Sequence, residues 1–151
     1  MTTIACNKEE ICCDLQVTNL QTNNKFKTKT KVFEFKPNEL TYPHSGFYMG
    51  FAGSVNDMMA VADYFSNPES YDKLPKVSSL RGLILTFNKE IFLFEEYTKW
   101  ILVNEPFAAL GSGEGVALGA MSSGSTPTEA IKIASKIDCY TGMGTKTFKV
   151  K

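Results

Sequence analysis

Residue combinations that usually carry enzyme chemistry are few in this sequence. His44 is the one histidine, and it lies between Pro43 and Ser45 in a turn-like stretch without a nucleophile motif. A serine or cysteine triad would therefore depend on His44 alone. The glycine-rich run 111–115 lacks the further glycine and the acidic residue of a dinucleotide site, and it lacks the Gly-Lys-Ser/Thr of a P-loop. Close packing of a strand against a helix is the favoured interpretation of these glycines.

The four cysteines show no CxxC spacing, so a zinc site lacks ligands and no metal or other cofactor is expected. Cys12 and Cys13 are adjacent and would point to opposite faces of a strand, which disfavours a disulfide framework. We predict reduced, mostly buried thiols.

A chemistry that needs no histidine is open to Thr2. If Met1 is removed, the α-amine of Thr2 could serve as the general base for the hydroxyl of the same residue. Such an amine has an unperturbed pKa of about 7.7–8.0, so it accepts a proton near neutral pH. A nearby lysine would lower that pKa further, an aspartate would orient the lysine, and a glycine amide could stabilise an oxyanion. The sequence supplies residues of each kind.

Six short segments, spread over nearly the whole chain, form a wider pattern around Thr2. They are Thr2-Thr3-Ile4; Asp14 with Gln16 and Thr18; Lys31-Val32; Gly50-Phe51-Ala52-Gly53-Ser54 with Asp57; Ala109-Leu110-Gly111-Ser112-Gly113 with Ala117-Leu118-Gly119; and Asp138-Cys139-Tyr140-Thr141-Gly142. In this order and at these spacings the chain resembles a trimmed member of the proteasome β-type and HslV family. These proteins are N-terminal-nucleophile (Ntn) hydrolases.

The resemblance implies a fold and a set of site residues. The fold class would be α+β, a four-layer αββα sandwich of two mainly antiparallel sheets between helical layers, in a single domain over 1–151. The catalytic residues would be Thr2 as nucleophile, Gly53 as oxyanion donor, and Asp14, Lys31, Ser112, Asp138 and Thr141. The substrate-binding residues would be Thr18, Phe51 and Val55, with the last two forming the floor and wall of an apolar specificity pocket.

Taken without the resemblance, several of these residues have simpler interpretations. Lys31 could be the last solvated residue of a Lys-Thr-Lys-Thr-Lys run, and Ser112 could be a helix N-cap. Asp138 could form a salt bridge with a lysine, and the two apolar pocket residues could belong to the core. Asp14 differs, because a carboxylate in an apolar strand needs a cation or several donors. Lys31 is the natural partner.

The hydrophobic pattern predicts the elements that would position these residues. Strands are predicted over 2–6, 10–18, 26–35, 46–52, 82–87, 91–97, 100–103, 107–110, 138–141 and 147–150. In 26–35, alternation places Lys27, Lys29 and Lys31 on one face. Helices are predicted over 54–65 with Ser54 as N-cap, over 116–121, and over 126–137 behind a Thr-Pro-Thr-Glu start, the last with a buried face of Ala130, Ile131, Ile133, Ala134 and Ile137. Residues 67–80 are predicted to be loop.

Composition limits the broad class of protein. The chain has 151 residues, of which 43% are apolar, and sixteen basic residues balance sixteen acidic ones. One globular domain is expected, and the zero net charge disfavours nucleic acid or a membrane surface as partner. The first residues lack a basic segment followed by an apolar one, so a cytoplasmic location is expected.

Three functions agree with these residues. The leading hypothesis is a threonine peptidase that cuts peptides or unfolded proteins after apolar residues through an acyl-enzyme on Thr2. The alternative is a catalytically inactive structural or assembly protein of the same fold, for example of a virus, and an amidase acting on small molecules is a third. The resemblance also implies a homo-oligomer and an ATP-dependent unfoldase partner. The unfoldase is the weaker of the two, because 67–80 is too short for the second long helix of the family.

Overall fold

The structure is a computed structural model that describes residues 1–95 and 100–151. The α-helices of these residues are α1 (Val55–Ser66), α2 (Glu114–Ser122) and α3 (Pro127–Ile137), and a short 3-10 helix covers Pro68–Ser70. The strands are β1 (Thr3–Asn7), β2 (Glu10–Asp14), β3 (Gln16–Thr18), β4 (Lys25–Lys27), β5 (Val32–Phe35), β6 (Phe47–Gly53), β7 (Leu80–Thr86), β8 (Ile91–Phe94), β9 (Ile101–Val103), β10 (Phe107–Gly111) and β11 (Thr145–Lys149).

Two antiparallel sheets contain most of the strands. The first sheet has the spatial order β10-β1-β2-β11, and the second has the order β5-β6-β7-β8-β9. A separate hairpin pairs β3 with β4. The order along the chain is strands, one α-helix, strands, two α-helices and a strand, which agrees with the sequence prediction except that one strand follows α3 where two were predicted. Every pair of neighbouring strands in the two sheets is antiparallel.

Three apolar clusters fill the space beside the two sheets. One cluster joins residues of both sheets, such as Ile4 of the first and Leu83 of the second. Another joins the second sheet to α1 through residues such as Val61. The third joins the first sheet to α2 and α3. Cys12 and Cys13 lie in different clusters, because successive side chains of a strand point to opposite faces. All four cysteines are free thiols, and three are buried, as predicted.

Local signals set the starts of two helices. The Ser54 side chain accepts a hydrogen bond from the Asp57 amide at 3.3 Å, which caps α1. Thr126 and Glu129 form a capping box at α3, with bonds of 3.2 and 2.8 Å. Both predicted starts are confirmed. α2 begins two residues before the predicted segment 116–121, since the first helical residue is Glu114.

The apolar face predicted for α3 is only partly buried. Ala130 and Ile131 are buried against the first sheet, and Ala134 is also buried. Ile133 and Ile137 are exposed, by 36% and 70% of their surface. The prediction that all five residues form one buried face is therefore wrong, because the spacing of the two isoleucines turns them away from the sheet.

Two predicted strands are each divided in the structure. The segment 10–18 breaks at Leu15, whose amide donates to the carbonyls of Gly142 and Gly144 at 3.1 and 3.2 Å. The segment 26–35 breaks between β4 and β5, where the Thr28 amide donates to the Leu15 carbonyl at 2.8 Å. The chain crosses from the hairpin to the second sheet at this break. The predicted common face of the lysines is therefore wrong, since Lys31 is buried.

The strand predicted over 138–141 is also wrong. The Thr141 amide donates to the Asp138 carbonyl at 3.1 Å, and the Tyr140 amide donates to the Asp138 side chain at 3.2 Å. These bonds close a turn directly after α3, so residues 138–141 form a turn and not a strand. The terminal strand predicted over 147–150 exists as β11, shifted toward the N-terminus.

The predicted segments 67–80 and 91–97 agree in part with the structure. The predicted loop 67–80 contains the 3-10 helix, and β7 begins at its last residue. The predicted strand 91–97 is described as β8 up to Phe94, and its last two residues lie outside the described residues. None of the helices in the described ranges combines the length and apolarity needed to cross a bilayer.

Candidate active site

A cleft with a volume of about 1270 Å³ collects most of the predicted site residues. Parts of its wall come from the N-terminus, the β3–β4 hairpin, the β6–α1 junction, the start of β7 and the turn after β10. Of the ten predicted residues, seven line it: Thr2, Thr18, Lys31, Phe51, Gly53, Val55 and Ser112. Of the other three, Asp14 is bonded to Lys31, Asp138 is bonded to Ser112, and Thr141 is bonded to Asp138.

Asp14 is one of those three, and it is fully buried at the end of β2. Its Oδ1 atom accepts from Lys31 Nζ at 2.8 Å and from the Thr3 amide at 3.0 Å. Its Oδ2 atom accepts from the amides of Gln16 and Gly142 at 3.2 and 3.1 Å. Lys31 is 5% exposed, so it is not the solvated surface residue that the lysine run allowed.

The Lys31 ammonium faces the peptide bond that precedes Thr2. Its Nζ atom lies 3.5 Å from the Met1 carbonyl oxygen and also donates to the Gln16 carbonyl. Burial lowers the pKa of Lys31, although the charge and hydrogen bond of Asp14 act against this. Burial and the charge of Lys31 also lower the pKa of the Met1 α-amine. An amine at this end of the cleft is thus held closer to its neutral form.

Asp138 organises the hydroxyls on the other side of the N-terminus. Its Oδ2 atom accepts from Ser112 Oγ at 2.5 Å and from Thr141 Oγ1 at 2.6 Å. Burial alone would raise the pKa of Asp138, but the bonds from these hydroxyls and from the Tyr140 amide hold it below its ordinary value. The partners of Asp138 among the described residues do not include a lysine, and Gly113 rather than Ser112 occupies the N-cap position of α2.

Thr3 connects the Asp14–Lys31 pair to the hydroxyl group of Thr141, which is bonded to Asp138. This role was not predicted from the sequence. Its amide donates to Asp14, while its Oγ1 atom lies 2.6 Å from Thr141 Oγ1 and accepts from the Gly113 amide at 2.9 Å. The residue after Thr2 is therefore bonded to two sets of residues, Asp14 with Lys31 and Asp138 with Ser112 and Thr141, which we call the two carboxylate systems. The one available signal was strand alternation, which turns Thr3 away from the side of Thr2.

The backbone at Gly53 forms the corner between β6 and α1. Gly53 has φ = +128°, and a Cβ there would collide with the Ser79 carbonyl. That carbonyl accepts from the Ser54 amide at 2.7 Å, and the Asp57 side chain accepts from the Ser79 amide at 3.0 Å. These contacts fix a side-chain-free backbone segment against the cleft, which is the requirement for a backbone oxyanion donor.

The cleft has an apolar section between α1 and the β3–β4 hairpin. Phe51 is buried in the floor, whereas Val55 is exposed at the rim, so only Phe51 also belongs to the core. Leu20 and Phe26 bring exposed apolar side chains from the hairpin. Such a surface suits an apolar side chain of a bound chain.

The opposite section of the cleft carries charge. Arg81 lies 3.1 Å from Glu95 and 3.2 Å from Glu114, and Glu114 also accepts from the Gly111 amide at 3.1 Å. Arg81 thereby connects β7 of the second sheet to the turn that carries Ser112. All of these groups are partly exposed, so the ion pairs mainly fix geometry.

The adjacent buried cysteines Cys12 and Cys13 are poor nucleophiles. Burial raises the pKa of Cys12 to about 11 and also raises the pKa of Cys13, so both thiols stay protonated near neutral pH. Across residues 1–95 and 100–151, no group of three His, Cys, Asp or Glu side chains could hold a metal ion.

Solved structures with the same architecture cover almost the whole chain. BPH from Thiobacillus denitrificans has a TM-score of 0.71 at 17% identity, covering 99% of this chain and 98% of that one. Eukaryotic HslV from Trypanosoma brucei has a TM-score of 0.70 at 18% identity, covering 97% and 98%. A Gly-1 mutant of Anbu from Hyphomicrobium sp. strain MC1 has a TM-score of 0.71 at 11% identity, covering 99% and 81%. The chain has an HslV-like Ntn-hydrolase fold.

No protein-family model matches the sequence, and the comparison with curated proteins gives no significant match. Similarity at these identities establishes the HslV-like fold and leaves the chemistry to be argued from the site.

Proposed function

We propose that this chain is a threonine peptidase resembling HslV and the proteasome β subunits, with Thr2 as nucleophile after removal of Met1. The observation that carries the proposal is the position of Lys31. Its ammonium is paired with the fully buried Asp14 and lies 3.5 Å from the carbonyl of the peptide bond that precedes Thr2. A cation buried at this point has an evident use in lowering the pKa of a terminal amine and activating the adjacent hydroxyl.

The proposed reaction begins with the free α-amine of Thr2. The amine takes the proton of Thr2 Oγ1 as the oxygen attacks the peptide carbonyl carbon, and the Gly53 amide stabilises the oxyanion. The protonated amine then gives its proton to the leaving nitrogen when the C–N bond breaks, which leaves an ester on Thr2. Water hydrolyses the ester by the same steps, with the amine again acting as base. Ser112, Asp138 and Thr141 would hold the amine in place.

The substrate would be a peptide or an unfolded protein cut after an apolar residue. Phe51 and Val55 supply an apolar floor and rim beside Gly53, and Thr18 lines the same cleft. The volume of about 1270 Å³ is large enough for several residues of an extended chain.

The finer architecture and the assembly belong to the same proposal. The three apolar clusters support a four-layer αββα arrangement in a single domain, with α1 outside one sheet and α2 and α3 outside the other. A homo-oligomer built through α2 and α3 would use their exposed apolar residues. An ATP-dependent unfoldase is the weaker partner, since the segment 67–80 forms one short 3-10 turn in place of a long helix.

The test is intact-mass measurement after incubation with epoxomicin, with which the Thiobacillus denitrificans protein forms a complex. Protein that has lost Met1 is expected to gain the mass of one inhibitor per chain and to hydrolyse peptides with an apolar residue before the cleaved bond. Thr2→Val should gain nothing. The matched control is the same chain with Met1 retained, whose Thr2 nitrogen is an amide without basicity.

Two results would decide for the inactive structural protein instead. One is retention of Met1 in protein produced by its own host. The other is the absence of both adduct and hydrolysis in protein with a free Thr2 amine.

A further inference from the structure

Gln16 contacts both Asp14 and the segment that carries Asp138, and so joins the two carboxylate systems next to the cleft. It is 5% exposed and follows directly on the break between β2 and β3. Its side-chain Nε2 atom donates to the Cys139 carbonyl at 2.9 Å and to Thr18 Oγ1 at 3.0 Å. Its own amide donates to Asp14, and its carbonyl accepts from Lys31. A buried amide that uses both donors in this way has a defined orientation.

The segment 138–142, which contacts this amide, belongs to none of the helices and strands of the fold. It carries Asp138 and Thr141, and it is connected to Asp14 through the Gly142 amide at 3.1 Å. Gly142 lies so close to Gln16 that a Cβ there would come 2.9 Å from the side-chain oxygen. The Gln16 amide is therefore packed against this segment as well as bonded to it.

We infer that Gln16 is a positioning residue whose side-chain amide sets the register between the segment 138–142 and the Asp14–Lys31 pair. The inference rests on the proposed function, because this register matters for catalysis only if Thr2 lies between the two systems as nucleophile. Gln16 does not line the cleft and would not touch the reacting atoms, so it acts through Asp138 and Thr141.

The chemistry of the amide offers two complementary substitutions. Gln16→Met keeps the length of the side chain and removes both donors at every pH. Gln16→Glu keeps the shape, but its ionised carboxylate cannot donate to the Cys139 carbonyl, whereas its protonated form can. Burial beside Asp14 raises the pKa of such a carboxyl, which brings the change within a measurable range. Lys25→Met is the matched control, because the exposed Lys25 Nζ donates to the same carbonyl at 2.7 Å.

The first experiment follows the backbone amide resonances of Thr141 and Gly142 by NMR across pH, in the chain with Met1 in place. We expect both resonances to be displaced in Gln16→Met at all pH values. In Gln16→Glu they should match the unsubstituted protein at acid pH and move toward the Gln16→Met positions as the carboxyl ionises. Lys25→Met should match the unsubstituted protein throughout. If Gln16→Met does not fold, the pH response of Gln16→Glu alone decides.

The second experiment measures peptide hydrolysis by the same variants without Met1. Gln16→Met is expected to lower kcat about ten- to a hundredfold, because the hydroxyls that hold the amine shift. KM should rise by a smaller factor, because the Thr18 hydroxyl in the cleft loses its hydrogen bond from Gln16. Gln16→Glu should regain activity toward acid pH relative to Gln16→Met. Amide resonances that stay unchanged in both variants would overturn the inference whatever the activity. Displaced resonances in a protein that hydrolyses nothing would support the positioning role and remove the proposed function.

Discussion

Lys31 is the residue on which the proposed chemistry and the stability of the site both depend. Replacing it with methionine removes the cation and leaves Asp14, which is fully buried, without a counter-charge. We expect hydrolysis to fall by several orders of magnitude and the free energy of unfolding to fall by about 3–5 kcal/mol. Denaturant unfolding and peptide hydrolysis measure the two effects. Lys29→Met, an exposed neighbour, should change stability by less than about 0.5 kcal/mol and keep activity.

The surroundings of Asp14 decide how such a loss can be repaired. Its carboxylate also accepts three backbone amides, so an apolar replacement would leave those donors unsatisfied. Lys31→Met combined with Asp14→Asn removes both charges and keeps one acceptor oxygen. This pair should recover part of the stability and none of the activity. A stable, active Lys31→Met variant would contradict the assigned site.

The Asp138 carboxyl gives a pH dependence with a definite sign. Hydrogen bonds from hydroxyls outweigh burial and hold its pKa in the folded protein below the ordinary value. The resulting stabilisation is complete above pH of about 4 and is lost as the pH falls through the lower pKa of the folded state. The melting temperature of Asp138→Asn should therefore fall less steeply than that of the unsubstituted protein on acidification below about pH 4. Equal slopes would show that these hydrogen bonds do not hold the ionised form.

At this scale the sequence predicted some site residues better than others. A carboxylate inside an apolar strand must find a cation, so the pairing of Asp14 with Lys31 followed from physics. The roles of Thr3 and Gln16 could not be predicted in this way, because their partners, Thr141 and Cys139, lie more than a hundred residues away. Strand alternation turns Thr3 away from the side of Thr2, but no local pattern identifies Thr141 or Cys139 as a hydrogen-bond partner.

Two glycines show how the same substitution acts differently in different elements. Gly53 ends β6 at a positive φ, and an added Cβ would collide with the backbone of Ser79. Gly53→Ala should cost about 1–3 kcal/mol and abolish hydrolysis, since the corner of the cleft must move. Gly115 lies in α2 with open space around it, so Gly115→Ala should stabilise by about 0.4–1 kcal/mol. Thermal unfolding of both variants is the measurement, and equal effects would contradict the strained geometry at Gly53.

Elements were predictable where their signals are local. The starts of α1 and α3 depend on a side chain and an amide three residues apart, which the sequence displays directly. The predicted strand 10–18 is broken by hydrogen bonds to the distant segment 142–144, and the predicted strand 26–35 is broken where the chain passes from the hairpin to the second sheet. A short stretch of sequence shows neither of these contacts. The turn at 138–141 was missed for a related reason. Its β-prone residues Tyr140 and Thr141 donate hydrogen bonds to Asp138 instead of pairing with a neighbouring strand.

We expect copies of the chain to meet through α2 and α3. Ile133 and Ile137 on α3 and Leu118 on α2 leave apolar surface uncovered on the helices outside the first sheet. The chain carries no net charge that would oppose association of identical copies. These features favour a homo-oligomer in which the two helices pack against a second copy.

Light scattering tests this expectation directly. The protein at micromolar concentration should have a mass that is a multiple of 16.7 kDa. Replacing Ile133 and Ile137 together with aspartate should reduce the mass to that of one chain, because both side chains are exposed in the single chain and the proposed contact would bury two charges in their place. Leu40→Asp, at an exposed apolar residue far along the chain from α3, is the matched control and should leave the mass unchanged. A single-chain mass for the unsubstituted protein would rule out the assembly, whereas an oligomer that survives the double substitution would place the interface on another surface.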